Sequence, residues 1–194
     1  MVRTKPDGLK RGRALYRGKD AYASQTFEND QRAQYLTGLL SVFGAQEVIL
    51  SPSAYNTIAF LDTRSKEVES PVMRHFSRVT GNAGKFICQR DFTSEVSGGV
   101  RIDSVDNSAF VDARLIIIRG SVIFLFVAST TNLTGSTATV ELIFAPKVFD
   151  IKRGDVIYME IDPGASAAAR IRGATLTPTL QTIHNTSILI KELR

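Results

Sequence analysis

The stretch Arg114-Leu-Ile-Ile-Ile-Arg-Gly-Ser-Val-Ile-Phe-Leu-Phe-Val127 carries the strongest structural signal in the sequence. It predicts two strands, Leu115–Ile118 and Val122–Val127, joined by a tight turn at Gly120. Glycine supplies the positive φ that such turns need, and β-branched and aromatic side chains suit a pleated surface. A buried helix is the alternative interpretation, but the glycine interrupts it and β-branching is dense.

The two predicted strands do not alternate apolar and polar residues. A strand with one face in water would alternate, so we expect both faces of the hairpin to be covered. In a chain of 194 residues, one face can meet the chain's own core. We expect the other face to meet a second layer or a neighbouring subunit.

Length and composition are those of one ordinary globular domain, with 43% hydrophobic and 22% charged residues. No run of about eighteen apolar residues is present, so the sequence predicts no membrane span. The charged N-terminus lacks the apolar stretch of a secretory signal. The single cysteine, Cys88, excludes an internal disulfide framework. These features favour synthesis in a reducing compartment.

The net charge of +5 is concentrated at the N-terminus. Residues 1–20 hold seven basic and two acidic residues, so the rest of the chain, with 17 of each sign, is neutral. Residues 1–25 have almost no apolar periodicity and cannot bury enough surface to offset their ordering entropy. We therefore expect a flexible arm, 1–25, followed by one domain, 26–194. The basic residues of the arm are Arg3, Lys5, Lys10, Arg11, Arg13, Arg17 and Lys19.

Clustered lysines and arginines neutralise phosphates and release counterions, which gives nucleic-acid binding without sequence preference. We expect the seven basic residues of the arm to contact genomic RNA or DNA in this way. Tyr16 and Tyr22 are placed to stack on unpaired bases. A solvated basic tail without a partner is the alternative.

The segment 29–43 has apolar residues at helical spacing, with Asn29 as a candidate N-cap and Gly44 as a candidate end. The alternative is that part of it forms an edge strand running into Glu47–Leu50. From Ser51 onward the pattern predicts about eight short strands of a sandwich or barrel. The predicted strands are Tyr55–Leu61, Gly84–Asp91, Ala109–Ile118, Ser121–Ser129, Ala138–Phe144, Asp155–Ile161, Ala168–Ile171 and Ser187–Glu192. Predicted turns between them include Ser97-Gly-Gly and Arg153-Gly-Asp.

The sequence offers little for catalysis, and we predict neither an enzyme nor a cofactor. The two histidines, His75 and His184, have no carboxylate or nucleophile at a telling spacing. Cys88 lies in an alternating strand pattern, which favours a buried, inert thiol. A metal site is likewise not predicted, although Asp103, Asp106 and Asp112 leave a calcium site open. Arg153-Gly154-Asp155 spells a cell-attachment tripeptide, but its position before an apolar strand favours an ordinary turn.

Several motifs from Tyr55 to the C-terminus resemble jelly-roll domains of the tumour necrosis factor and complement globular-head type. They include Gly81-Asn-Ala-Gly-Lys-Phe-Ile87, the long apolar hairpin, and Phe149-Asp-Ile-Lys-Arg-Gly-Asp-Val-Ile-Tyr158. The closing motif is Thr186-Ser-Ile-Leu-Ile-Lys-Glu-Leu193. The resemblance implies a single jelly-roll sandwich of about eight antiparallel strands and carries over no catalytic residues. Similar domains occur in bacteriophage spike and decoration proteins.

A basic arm joined to one jelly roll also resembles the coat proteins of small icosahedral and satellite viruses. That resemblance implies a capsid protein of the virion that assembles with itself and contacts the packaged genome through its arm. The alternative is a trimeric phage spike, fibre or decoration protein, or a receptor-binding head, without a nucleic-acid role. A cupin-like metalloenzyme is a further alternative, but such barrels hold their metal with several histidines.

Overall fold

The computed structural model describes residues 38–43, 45, 47–60, 63–64, 69–70, 72–132, 136–171, 175–176, 181–182 and 186–193. These residues form strands and turns without a helix, so the predicted all-β fold is confirmed for them. In the same ranges, no helix is long and apolar enough to cross a bilayer. The arm 1–25 and its boundary with 26–194 lie outside the described residues and stay predictions.

The strands are numbered in chain order. The first eight are β1 Leu39–Phe43, β2 Val48–Ile49, β3 Asn56–Thr57, β4 Thr63–Arg64, β5 Glu69–Ser70, β6 Val72–Arg74, β7 Phe76–Arg78 and β8 Phe86–Cys88. The next five are β9 Phe92–Val105, β10 Phe110–Arg119, β11 Val122–Thr131, β12 Ala138–Ile151 and β13 Val156–Asp162. The last four are β14 Arg170–Ile171, β15 Thr175–Leu176, β16 Gln181–Thr182 and β17 Ser187–Glu192.

The principal strands pair in a nested order, which is the topology of a jelly roll. The innermost pair is the hairpin of β10 and β11, and β9 pairs with β12 around it. Outside these, β8 pairs with β13, and β1 pairs with β17. All of these pairings are antiparallel. The predicted jelly-roll sandwich is therefore confirmed, with the hairpin of β10 and β11 as the innermost pair of this order.

Two sheets enclose the core. One has the order β2-β14-β9-β17-β1-β6. In this sheet β12 pairs with β9 along the side opposite to β17. The other has the order β11-β10-β13-β8-β7, with β3 also paired to β13. Alternate residues of the long strands point between the sheets, as the two-residue period of a strand requires. Fully buried side chains from both sheets, including Leu40, Phe86, Ile102, Leu115 and Met159, fill this space.

The helix predicted for 29–43 is wrong at its C-terminal end, where the structure has β1. Leu40 and Val42 alternate into the core and are fully buried. β1 is paired on both sides, with β17 and with β6, so it is also not the edge strand that was the alternative. Hydrogen bonds to β17 and β6 pair the backbone groups of this segment. This pairing makes the segment a strand, although its apolar residues are spaced as in a helix. Residues 29–37 lie outside the described part of the chain.

The largest strand that the sequence did not predict is β9. It runs through Ser97, Gly98 and Gly99, which we interpreted as a turn, and pairs with β12 on one side and β17 on the other. Gly98 is needed there because the chains approach closely. A Cβ at this position would lie 2.5 Å from the backbone oxygen of Ser187 in β17. Gly98 therefore marks tight packing of the two strands.

The close approach of β9 and β17 predicts a stability effect. Gly98→Ala lowers the free energy of unfolding by about 1–3 kcal/mol, because the new methyl group forces the two strands apart. The measurement is urea denaturation followed by circular dichroism. The control is Ser97→Ala in the same strand, which changes stability by less than about 0.5 kcal/mol. Equal stability of the two variants would show that β9 and β17 do not approach closely at Gly98.

Candidate assembly surface

The central hairpin forms as predicted, with longer strands. Its register runs from Phe110 opposite Thr131 to Arg119 opposite Val122, which leaves Gly120 and Ser121 as the turn. Gly120 has a φ of 57°, a left-handed conformation that glycine adopts without strain at the first position of a two-residue hairpin turn.

β10 is buried on both of its faces. Leu115 and Ile117 point into the core, and Ile116 on the opposite face is also buried. Ile116 lies between Leu125 of β11 and Tyr158 of β13, its partners in the neighbouring strands. The prediction of two covered faces is confirmed for this strand.

β11 departs from that prediction. It is the edge strand of its sheet, and the outward side chains of Ile123, Leu125 and Val127 are 59%, 50% and 55% exposed. The covered outer face that we predicted is wrong for β11 within a single chain, because in the described part of the chain no strand lies beyond it. That a neighbouring subunit covers this face stays a prediction.

β12, the facing edge strand of the other sheet, adds further exposed aliphatic residues. Ile143 is 76% exposed and Val148 is 68% exposed. Between β11 and β12 runs an open groove of about 500 Å³ with Val127 on one wall and Ile143 on the other. We call the five residues Ile123, Leu125, Val127, Ile143 and Val148 the apolar edge.

Three phenylalanines connect the two strands of the apolar edge. Phe124 and Phe126 of β11 meet Phe149 of β12 edge to face, with ring centroids 5.0 Å and 5.7 Å apart. This geometry is favourable for aromatic pairs. The cluster joins the two edge strands, and Phe126 also belongs to the wall of the groove.

A buried ion pair fixes the turns at one end of these strands. Arg119 donates to Asp155 through Nε at 2.9 Å and Nη2 at 2.8 Å, and Nη2 also donates to the backbone oxygen of Asp150 at 2.6 Å. Asp155 is fully buried and accepts a further hydrogen bond from the Lys152 amide at 2.8 Å. The hydrogen bonds to Asp155 raise the pKa of Arg119 above its ordinary value. The guanidinium group also lies over the rings of Phe124 and Phe149.

This ion pair explains the Arg153-Gly154-Asp155 tripeptide. The segment forms the predicted turn between β12 and β13, and the Arg153 amide donates to Asp91 at 2.8 Å. The Asp155 carboxylate points inward to Arg119 and is inaccessible. The tripeptide is therefore a structural turn.

A polar cluster occupies the outer face of the second sheet near its other end. Tyr55 donates to Asp112 at 2.5 Å, and Arg114 donates to the same carboxylate at 3.1 Å. The Arg114 guanidinium lies 3.7 Å from the centre of the Tyr55 ring. Burial, and then the hydrogen bond and negative charge of Asp112, raise the pKa of Tyr55 to about 12.

The structure does not bring together Asp103, Asp106 and Asp112, the three aspartates for which the sequence left a calcium site open. Asp112 belongs to the cluster with Tyr55, whereas Asp103 lies in the other sheet and accepts hydrogen bonds from Arg101 and Thr139. Among the described residues, no group of three or more acidic, histidine or cysteine side chains could hold a metal ion. Cys88 is buried, as predicted, and burial raises the pKa of its thiol.

Comparison with known proteins adds evidence on the fold. No family model matches the sequence, and no curated protein matches it. Solved structures do match. Murine APRIL at pH 8.0 superposes with a TM-score of 0.51 and 13% identity, covering 81% of this chain and 99% of APRIL. Eiger TNF from S. frugiperda gives a TM-score of 0.53 and 10% identity, covering 81% of this chain and 93% of its own.

The fold is a tumour-necrosis-factor-type jelly roll. At such low identity, the comparison shows the fold alone. In this jelly roll the apolar edge is formed by the innermost hairpin strand β11 and by β12, the strand that follows it. The seven basic residues that we predicted to bind nucleic acid precede residue 38 and lie outside the described part of the chain.

The β12 half of the apolar edge was not predicted, although the sequence carried a signal. In Val140-Glu-Leu-Ile-Phe144, the first, third and fifth residues point into the core. Ile143 is therefore an aliphatic residue on the outward face, where a half-exposed strand usually has a polar residue. The isoleucine at this outward position was the clue to an exposed apolar surface.

The buried ion pair generates the second prediction. Arg119→Ala lowers the free energy of unfolding by about 3 kcal/mol, because it leaves the buried Asp155 carboxylate without its partner. This is the low end of the usual range, since the Arg119 side chain is about a third exposed. Lys152→Ala, in an exposed pair with Asp91, is the control and costs at most about 1 kcal/mol. Similar losses measured by denaturant unfolding would contradict the ion pair's structural role.

Proposed function

We propose that this chain is a structural protein of a virion that assembles with copies of itself through the apolar edge. The observation that carries the proposal is the run of exposed aliphatic residues on β11 and β12. On β11, Ile123, Leu125 and Val127 lie at alternate positions on one face and are each at least half exposed. Exposed apolar patches on proteins mark interaction sites. A symmetric homo-oligomer is the commonest way in which soluble proteins cover such a surface.

The form that we favour is a trimeric spike, fibre or decoration head. The tumour-necrosis-factor-type jelly roll supports this form, because similar domains are used in bacteriophage spike and decoration proteins. In that role the folded domain supplies the contacts between copies, and no catalytic chemistry is required of it. A receptor-binding head of the same type is the variant in which loops at one end of the sandwich meet a host molecule.

The assembly is tested by light scattering coupled to size exclusion. We expect the wild-type chain to form an oligomer, and Ile143→Lys to shift its mass towards that of the monomer, because a charge in the interface is desolvated on association. The control is Ile49→Lys in β2, since Ile49 is 72% exposed but does not belong to the apolar edge. A wild-type chain that stays monomeric at every concentration would overturn the proposal, and negative-stain images would distinguish closed shells from small heads.

A second candidate function is a capsid coat protein that contacts the packaged genome. The specific observation in its favour is the charge layout, since residues 1–20 carry the whole net charge of +5. In this form the jelly rolls build the shell and the arm neutralises phosphates inside it. The two candidates share self-assembly and differ in whether the arm binds nucleic acid.

A salt titration of single-stranded RNA binding separates these candidates. If the arm contacts the genome, affinity falls steeply with salt, with a log–log slope of up to about −5 for seven phosphate contacts. The matched control is the full-length chain with the seven arm residues changed to glutamine, which keeps the length and removes the charge. Absence of binding at low salt, or equal binding by the control, would remove the coat-protein form and leave the head.

A further inference from the structure

Three loops meet at one end of the sandwich, where β9 and β13 end and β10 begins. We call them the end loops, residues 51–56, 106–110 and 163–169. The Ser53 amide donates to the Gly164 oxygen at 2.6 Å, which joins the first loop to the third. The Asp106 amide donates to the Ser166 hydroxyl at 2.9 Å, which joins the second loop to the third. The three loops therefore form one connected surface.

Internal contacts hold the end loops in a fixed shape. The Asn56 side chain accepts a hydrogen bond from the Ser51 amide at 2.9 Å and donates to the Ala54 oxygen at 2.8 Å. Gly164 has a φ of 62°, and a Cβ at this position would lie 2.3 Å from the backbone oxygen of Phe110. Loops that are ordered before binding lose little conformational entropy on association, which favours recognition of a ligand.

The surface of the end loops carries almost no charge. Asp106 is the one charged residue in their sequences, which contain no leucine, isoleucine, valine or methionine. The two large exposed side chains are aromatic, with Tyr55 38% and Phe110 57% exposed. The other exposed residues are small or carry hydroxyl or amide groups: Ser51, Pro52, Ser53, Ala54, Asn107, Ser108, Ala165, Ala167 and Ala168. The surface therefore offers two rings together with neutral hydrogen-bonding groups.

The two aromatic rings lie on the same face of the second sheet. Phe110 and Asp112 are two residues apart in β10 and point to the same face, and the Tyr55 hydroxyl donates to Asp112 at 2.5 Å. The Arg114 guanidinium lies 3.7 Å from the centre of the Tyr55 ring. These contacts fix the Tyr55 ring beside the first residues of β10, so the two exposed rings share one end of this face.

The end loops are remote from Gly38, the first residue that the structure describes. The Glu192 amide donates to the Gly38 oxygen at 2.9 Å, and Glu192 pairs with Ser94 near the start of β9. The second end loop follows Val105, the last residue of β9, about 35 Å further along the strand. The chain that precedes Gly38 therefore joins the domain at the opposite end from the end loops.

We propose that the end loops bind a neutral saccharide through Tyr55 and Phe110. The C–H bonds of a sugar ring carry partial positive charge and pack against the negative face of an aromatic ring. The sugar hydroxyls exchange hydrogen bonds with serine hydroxyls and the Asn107 amide, which can both donate and accept. A surface with so little charge does not select for phosphate, sulfate or carboxylate groups, which arginine and lysine bind.

The inference rests on the receptor-binding form of the proposed head and names the chemistry of its ligand. A head joined to a virion through the segment before Gly38 presents its opposite end, with the end loops, to the host surface. A protein partner is the competing occupant. Serine and alanine, which make up much of this surface, are depleted in protein interfaces, so the composition favours the saccharide.

An array of neutral, sialylated and sulfated oligosaccharides, together with glycoproteins, tests the inference on the full-length chain. We expect the wild type to bind neutral glycans and Phe110→Ala to weaken that binding by about tenfold or more, because a central aromatic contact is lost. Tyr55→Ala has the same effect, whereas Tyr55→Phe keeps the ring and retains most of the binding. The control is Val122→Ala, which is 51% exposed at the other end of the hairpin and leaves binding unchanged.

Two further measurements separate the contact from folding and from the basic residues. Because Phe110 is more than half exposed, the thermal unfolding of Phe110→Ala stays close to that of the wild type. Because the end loops are almost uncharged, the glycan affinity stays within about twofold between about 50 mM and 500 mM salt. A contact made by the basic residues of the arm weakens steeply over the same range.

The outcomes distinguish this inference from the proposed assembly. A chain that assembles but binds no neutral glycan, or whose Phe110→Ala variant binds as well as the wild type, overturns the inference and leaves the assembly standing. Binding confined to sialylated or sulfated glycans also overturns it. A signal on a glycoprotein that survives removal of the sugars by glycosidases identifies a protein partner and overturns it as well. A monomeric chain that binds neutral glycans through Phe110 overturns the assembly and leaves the inference standing.

Discussion

The constraint on which the structure depends is that β10 is buried on both faces over residues 115–117. The neighbouring strands have to cover this apolar stretch, whereas the outer face of β10 turns polar at Arg114, which is partly exposed. Ile116 is covered on the outer face by Leu125 and Tyr158, which belong to β11 and β13. β11 therefore carries aliphatic residues on its outer face as well as aromatic residues on its core face. The exposed row on β11 is a consequence of burying β10.

The two strands of the apolar edge, β11 and β12, are linked to each other by an ion pair and by aromatic contacts. β11 begins at the turn held by Arg119, and β12 ends at the turn that contains Asp155. The ion pair between these residues ties one turn to the other, and the contact of Phe124 and Phe126 with Phe149 continues the link along the strands. A buried ion pair contributes little net stability, because desolvation offsets the attraction. Its role here is to fix the turn before β11 relative to the turn after β12.

How far the sequence predicts the structure depends on which interactions decide each element. The hairpin and β17 were predictable because dense β-branching and turn residues are local signals. β1 was not, because the pairing with β17 and β6 that overrides its helical spacing involves residues distant in sequence. β9 was missed because Gly98 usually marks a turn, and its packing reason is visible only when Ser187 lies beside it. At the candidate site, the apolar character of β11 was predicted, whereas its place at the sheet edge follows from the topology.

The net positive charge lies in residues 1–20, and the exposed aliphatic residues of the apolar edge lie on β11 and β12. The two proposed contacts, between copies and with nucleic acid, are therefore physically separable. An exposed edge strand is a template for further strands, and a contact that does not close on itself leads to filaments. Among the described residues, β11 is an edge strand of ten residues without a charge or a proline. A lysine on its outer face would protect it against pairing with another chain. The absence of charge there is therefore what leaves this edge open to contact.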